Sequence, residues 1–513
     1  MPWTQVSRSG LAQVQENRLL QRLECFARAR GMSVFVVGGT LRDVYLGRRT
    51  QDLDVALAGD VLAMAREFAR ESRGTFVPLD PERGEARVVY RGGMNIDFSG
   101  LKGADIAEDL VQRDFTINAL AVPLASLLMD SPPELLDPCG GVRDLDARVI
   151  RVVSPESFQS DPLRVLRGFR LAAALECTIE DVTLQQMQPA LSRMREVAPE
   201  RIHSEWFKLL ATPRSALFSQ LMAQLGLLDI LFGELAATHG VTQNRYHHLD
   251  VFEHSLQTWQ FVETVINAPE AYFPQHDETV AQYTRTGERS ALLKCAALLH
   301  DIGKPLTRRV DARGRVSFPG HAGRGAHLWE QTGRRLKLSV ARIRSVTSMI
   351  DQHRRPFDLL SLEGKGQLTD RIVYRLFKEM GEDILGLFVL AIADVLASRG
   401  PQTPASRAKV LGKLCGRLWE MYRTRMLPLM VAPRLITGDD LQAVFTLQPG
   451  PRFKTILEEV EIAQVEGRLQ TREGALRWVE QQLAMSGAGQ SSTSPDPQGH
   501  AAHLMIDEDG KLP

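Results

Sequence analysis

An α+β fold is predicted, with an α/β segment on the N-terminal side and a mainly α-helical remainder. Short β-branched runs alternate with helical ones only as far as about residue 150. From about residue 155 almost to 485, helical periodicity dominates. The chain of 513 residues is 44% hydrophobic and 24% charged, the balance of a globular protein with several cores.

Residues 11–30 are read as a helix, because Leu11, Val14, Leu19, Leu23 and Phe26 fall near helical spacing. Val34 to Val37 is a short buried strand that ends at Gly38-Gly39. Leu53–Leu57, Arg87–Tyr90 and Asn95–Phe98 are read as further strands. Breaker residues within 211–250 and the stretch from Arg399 to Pro404 mark boundaries. The expected division is an N-terminal helix (1–30), an α/β head (31–155), a helical neck (156–230), a helical domain (231–400), a C-terminal helical region (401–485) and a disordered polar tail (486–513).

Lys and Arg number 62, as do Asp and Glu, so the net charge is zero. That balance leaves room for nucleic-acid binding, because charge is unevenly distributed. The longest mostly apolar run, Ala119 to Met129, is far short of a bilayer span, and the N-terminus lacks a basic-then-apolar signal pattern. Five scattered cysteines with no CxxC argue against a disulfide framework and for a cytoplasmic setting without membrane partners.

The glycine pair Gly38-Gly39 follows a strand and opens a helix, which suits close approach of a phosphate. Arg42 lies about one turn further, within reach of the same phosphates. Asp52 and Asp54 sit at i and i+2 of a strand, on one face, where two carboxylates can hold two Mg²⁺ for in-line displacement. Asp161, Arg164, Arg167 and Arg170 are spaced three apart and are expected to form one polar helical stripe. A carboxylate accepts from the amine of cytosine or adenine and an arginine donates to ring acceptors, so the Asp161–Arg164 pair can select C and A. The later arginines would hold phosphates.

The segment VGGTLRDVYLGRRTQDLDVAL, followed by RDFTINAL from Arg113, resembles the class II nucleotidyltransferases. That family comprises tRNA CCA-adding enzymes, their CC- and A-adding relatives and bacterial poly(A) polymerases. The resemblance covers roughly residues 31–230. It implies that Arg113 contacts the nucleotide, that Asp114 lies near the ribose, and that Asp97 is a candidate third acid at the metals. SDPLRVLRGFR from Ser160 is similar to the family's base-reading motif, with Ser160 where the family has Glu. PERIHSE is similar to its ERxxxE neck motif, which implies that Glu200, Arg201 and Glu205 support the base-reading helix.

A second constellation lies downstream. His254, the pair His300-Asp301 and the distant Asp394 can converge from three helices on one divalent transition metal. With CAALLHDIGK around the pair, this resembles the HD metal-dependent phosphohydrolases over about residues 245–400. His321 and His327 are candidates for second-metal or substrate contacts, His353 is expected near the rim, and His247 and His248 are read as leading into a helix.

Arg308 to Arg355 carries 12 basic and 3 acidic residues, and Arg399 to Arg425 carries 7 and one, as faces that track RNA do. The expected function is template-independent addition or repair of all or part of the tRNA 3′-terminal CCA from CTP and ATP. A poly(A) polymerase or A-adding enzyme is the alternative within the class. Outside it stand an HD phosphatase or cyclic phosphodiesterase acting on RNA ends, and an RNA-binding module with both sites silent.

Overall fold

A computed structural model describes residues 12, 14–50, 52–129, 133–244, 247–398 and 406–488. The expected boundary from Arg399 to Pro404 lies outside the described residues, as do Leu11 and the expected tail from 489 onward, while residues 486–488 continue helix Arg472–Ala488 rather than opening a disordered tail. The chain divides into two compact units, Met1–Ile230 and Leu231–Pro513.

The first unit holds a six-stranded mixed sheet. Its strands are β1 (Val34–Val37), β2 (Asp52–Leu57), β3 (Thr75–Asp80), β4 (Glu85–Val89), β5 (Asn95–Gly100) and β6 (Ala121–Pro123), in the order β3-β4-β5-β2-β1-β6. Within this sheet only β2 and β5 run parallel; their register places Asp54 beside Asp97 and Asp52 beside Asn95. Alternation explains the burial of β2: Leu53, Val55 and Leu57 are buried while Asp52 is exposed. Strands β3 and β6 were not expected. The exposed β3 carries Pro78 and mixed polarity, and β6 has three residues, so neither offers a clear period.

The expected N-terminal helix is broken: residues 12, 14 and 15 are helical, and a second helix runs over Arg18–Arg28. Asn17 interrupts the pattern and caps it, accepting from the backbone N–H groups of Leu19 and Leu20. Helices Arg164–Leu175 and Pro199–Leu210 pack together after the sheet, burying Leu166 and Phe169 of the first and Trp206 and Phe207 of the second.

The second unit is helical apart from one short hairpin, Arg309–Val310 with Val316–Ser317, among the described residues. Helix Val251–Asn267 packs along Arg289–Leu299 and Ile384–Ala397. The latter two are buried around most of their circumference, as their nearly unbroken apolar sequences require. Asp250 starts the first of these by accepting from the Glu253 N–H at 2.8 Å. Residues Ile436, Leu441, Val460, Ala463, Leu469, Ala475 and Val479 form a separate small core at the C-terminal side.

Candidate functional site

In the first unit, the loop after β1 is shaped by what lies against it. Gly38 has φ +61°, and a Cβ there would stand 3.0 Å from an Arg113 guanidinium nitrogen. A Cβ on Gly39 would stand 2.9 Å from the Asp54 carboxylate. The glycine pair therefore admits Asp54 and Arg113 to the start of the following helix, Gly38–Tyr45. Thr40 locks the arrangement: its N–H donates to Asp54 Oδ2 at 3.3 Å, and its hydroxyl accepts from the Asp54 N–H at 2.7 Å.

Asp52 accepts from Asn95 Nδ2 at 2.9 Å. Asp97, the candidate third acid, has both oxygens engaged by Arg87 at 2.7 Å each. Burial, and then the nearby Asp97 charge, push the Asp54 carboxyl up to about 6, although Arg113 and Arg42 oppose the shift. A half-buried acid that resists ionisation beside a second acid is a chemical fit for a divalent cation.

Arg42 donates to both Asp43 oxygens at 3.0 Å and to Asn118 Oδ1 at 2.7 Å. The other end of the Asn118 amide donates to Asp114 Oδ1 at 3.0 Å. Asn118 thus couples two of the expected nucleotide-binding residues, a role not read from the sequence. Arg113 is oriented by Asp109 at 2.8 Å. Asp114 is buried, which opposes its charge, yet Arg167, Asn118 and Arg164 hold its carboxyl at about 2.

The expected four-residue stripe does not form as one helical face. Asp161 precedes the helix, in extended backbone with φ −151° and ψ 98°. The next residue is Pro162, whose ring disfavours helical conformation at the residue before it. Asp161 instead accepts from the Leu163 N–H at 3.3 Å and from Arg201 at 2.6 Å. Arg164 is turned inward. It donates to the carbonyls of Gln112, Arg113 and Ser157 at 3.2–3.4 Å and to the Ser157 hydroxyl at 2.6 Å. Arg167 pairs with Asp114 at 3.2 Å, and Arg170 with the buried Glu205 at 2.6 Å. Glu200 lies exposed in the first turn of its helix.

In the second unit, two groups of potential metal ligands meet: His254, His300 and Asp394, then Asp301, His321 and His353. His254 Nε2 lies 3.1 Å from Asp394 Oδ1 and 3.7 Å from Asp301 Oδ2. Asp301 stands between the groups, 3.1 Å from His300 Nε2 and 3.4 Å from His321 Nε2. His300, His321 and His353 each direct Nδ1 to a carbonyl three residues earlier, at 2.7–2.9 Å, leaving Nε2 toward the centre.

Both Asp301 oxygens and the Nε2 atoms of His254 and His300 are buried without a hydrogen bond of acceptable geometry. Orphaned nitrogen and carboxylate donors of this kind fit a divalent transition metal. Burial pushes the His254 and His353 pKa values down. It also opposes the charge on Asp301, but His300 and Lys304 outweigh it and hold that carboxyl well below the usual range. Against burial, Asp301 in turn raises the pKa of His300, so His254 and His353 are the imidazoles that burial keeps in the neutral, metal-binding form.

Several residues depart from expectation. His353 is buried in the second group rather than at the rim, with Nε2 3.2 Å from that of His321. His327 is exposed and pairs with Gln331 instead. Six residues on a helix rotate it about 240° from His321, so the two cannot share a face. His247 packs its ring edge on His254, centroids 4.7 Å apart, while His248 is exposed. Lys304, not singled out beforehand, reaches Asp301 at 2.7 Å and Gln243 at 2.6 Å. Within the basic stretches, Arg335 faces Glu234 and Arg417 and Arg425 pair with Glu363 and Asp370, so part of that charge is internally balanced.

Comparison with known proteins gives a consistent picture. Residues 34–151 match the poly A polymerase head domain and 177–238 the probable RNA and SrmB-binding site of polymerase A. Residues 251–399 match the HD domain and 422–479 the tRNA nucleotidyltransferase domain 2. The A-adding tRNA nucleotidyltransferase of Deinococcus radiodurans is 33% identical over 87% of this chain and 95% of its own. The CC-adding tRNA nucleotidyltransferase of Thermus thermophilus is 33% identical over 86% and 92%. The fold is similar to that of a CCA-adding enzyme solved with ATP, with a TM-score of 0.60 at 21% identity, covering 93% of this chain and 98% of that one. A Thermotoga maritima CCA-adding enzyme complexed with tRNA gives a TM-score of 0.58 at 21% identity, covering 94% and 100%. No described helix is long and apolar enough to cross a membrane.

Proposed function

The chain belongs to the tRNA nucleotidyltransferase family, and from that premise we propose that it adds or repairs all or part of the 3′-terminal CCA of tRNA, without a template, from CTP and ATP. The observation that carries this reading is the assembly at the glycine turn. Asp54, Arg113 and Arg42 all lie within 4 Å of the positions that side chains on Gly38 and Gly39 would occupy.

Asp52 and Asp54 would hold two Mg²⁺, which supply activation of the RNA 3′-hydroxyl and neutralisation of the departing pyrophosphate. Arg42 and Arg113 neutralise the triphosphate from the protein side, and the open Gly38-Gly39 backbone lets it approach the helix terminus. Asn118 fixes Arg42 relative to Asp114, so triphosphate and ribose are positioned together. Asp161 accepts the exocyclic amine of cytosine or adenine and disfavours the oxygen that uracil or guanine presents there. The protein contributes position and charge rather than a covalent intermediate.

The test is extension of tRNAs ending at the discriminator base, at C or at CC, with each nucleotide supplied singly. Addition of A only after CC identifies an A-adding enzyme, and addition of C alone a CC-adding one. Long runs of A on any RNA identify polyadenylation. Extension of none of these substrates overturns the reading.

The HD centre supports a second activity, hydrolysis of a phosphate at an RNA end. Asp301, shared between two buried ligand groups, is the observation that favours it. His254, His300, Asp301 and Asp394 would hold one divalent metal, with His321 and His353 offering donors for another; such metals supply an activated water. Lys304, itself buried, balances the Asp301 charge at 2.7 Å. Release of phosphate, or opening of a 2′,3′-cyclic end, in the presence of Mn²⁺, Ni²⁺ or Zn²⁺ is the expected result. No hydrolysis with any of them makes the centre structural.

A further inference from the structure

We propose that Arg87 binds the last phosphodiester of the RNA that receives the nucleotide, on the reading above that Asp52 and Asp54 hold the reacting centre.

The sheet lays the groups out in a row. Gly38 and Gly39 follow β1, and the Asp54 carboxylate of β2 lies against them. Asp97 on β5 is the register partner of Asp54, and Arg87 on β4 is the register partner of Asp97. Register partners share one face of a sheet. The row therefore runs from the glycine turn through Asp54 and Asp97 to Arg87. Its last member stands two strand spacings, about 10 Å, from the β2 backbone.

Nucleotidyl transfer is an in-line displacement. The RNA 3′-oxygen bonds to the α-phosphorus as the bond to the pyrophosphate oxygen breaks, and the hydroxyl proton passes to solvent. Nucleophile and leaving group thus stand on opposite sides of that phosphorus. Arg42 and Arg113 lie at the glycine turn, on the β1 side of Asp54, where they meet the triphosphate. The nucleophile then enters from the side of β5 and β4. The last phosphodiester is the RNA's own anion nearest the attacking hydroxyl, and Arg87 is the cation at that end of the row.

The guanidinium is oriented yet open. Nε and Nη2 donate to the two Asp97 oxygens at 2.7 Å each, which fixes its plane. Nη1 has no hydrogen-bond partner among the described residues. The side chain is 36% exposed, so a phosphate can reach that edge. Its pKa is raised by the Asp97 hydrogen bond and then, against burial, by the charges of Asp97, Asp52 and Asp54, which places it within electrostatic reach of both acids. Arginine carries its N–H donors in a fixed fork, so it can serve a carboxylate and a phosphate together.

The experiment is a double-mutant cycle between protein and RNA. tRNAs ending at C and at CC are made with the last phosphodiester natural or replaced by an uncharged methylphosphonate. The full chain, R87A and R87K are compared on both, in equilibrium tRNA affinity and in kcat and KM for tRNA and for nucleotide. With the parent, the methylphosphonate should lower tRNA affinity about tenfold. R87A should lose a similar factor on natural tRNA, keep nucleotide KM within about twofold of the parent, and lose nothing further on the methylphosphonate. R87K, which keeps the charge, should recover part of the loss. Losses that multiply overturn the proposal, because the two groups then do not meet. So does a rise in nucleotide KM equal to the rise for tRNA, which makes Arg87 a support of Asp97 alone. Thermal melts accompany each variant, and R87Q, which leaves Asp97 a donor, replaces R87A if that protein unfolds. A parent that binds tRNA but extends none of these ends fails the functional reading, while the affinity cycle still decides the Arg87 contact.

Discussion

At Asp54, one side chain carries two opposing demands. Its carboxyl is pushed up to about 6 by burial and by Asp97, so ionising it destabilises the protein unless a cation is bound. A folded-state value above the unfolded one stabilises only below the unfolded value, near pH 4, and that contribution is lost as pH rises through about 6. Asp54→Asn should therefore abolish nucleotide addition yet stabilise the fold in chelator at pH 7.5 by up to about 1–3 kcal/mol, read as a higher melting temperature. At pH 4 the gain should vanish. A lower melting temperature at pH 7.5 would contradict the burial argument. Arg164 gives the opposite case. Its side chain satisfies inward-facing carbonyls, so Arg164→Ala should destabilise the first unit by about 2–3 kcal/mol in denaturant titration. The residue types at these positions were legible in the sequence because carboxylate spacing along a strand fixes a face. The direction of Arg164 was not, because spacing says nothing about which carbonyls lack donors. The break at Asp161 was legible in principle from Pro162, a local backbone rule that outranks a three-residue periodicity.

At the scale of elements, the HD centre depends on how closely one helix meets another. Gly303 follows the His300-Asp301 pair, and a Cβ on it would fall 2.1 Å from the His321 carbonyl and 2.6 Å from the Gly325 N–H. These are backbone atoms and cannot rotate away. Gly303→Ala should thus push helix His321–Arg335 outward and separate His321 from Asp301, at a cost of about 1–3 kcal/mol. The measurement is metal content after saturation with Mn²⁺ or Zn²⁺. The variant should bind fewer equivalents than the parent while still binding through His254, His300 and Asp394. Equal stoichiometry in both proteins would show that His321 and His353 take no part. His300 and Asp301 were legible from HDIGK and its flanking apolar run, and His254 and Asp394 from their own segments; the close approach at Gly303 was not read. His353 was not, because it stands at the C-terminal end of helix Val340–Gln352, far along the chain from His300-Asp301 and outside the HDIGK motif. His327 was over-read because histidine content was weighed without helical rotation.

At the scale of the whole molecule, the two proposed chemistries fall in separate compact units. The glycine turn, Asp52, Asp54 and Asp161 belong to the unit ending at Ile230, and all six HD ligands belong to the unit beginning at Leu231. Nucleotide transfer uses an RNA hydroxyl as nucleophile, whereas HD hydrolysis uses water, so neither centre supplies a group the other consumes. Asp301→Asn tests this independence. The amide keeps the volume of the carboxylate but loses the charge that His300, His321 and Lys304 face. Lys304 retains Gln243, which limits the penalty of an unpaired buried ammonium. Metal-dependent hydrolysis should fall at least a hundredfold, because the shared ligand is lost from both groups. Addition of C and A to tRNA should stay within about twofold, since a folded second unit preserves whatever RNA contacts it makes. The outcome is read by assaying both activities on one preparation, beside a melt that reports both units. A folded variant that can no longer extend tRNA would mean that the HD centre serves nucleotide addition itself.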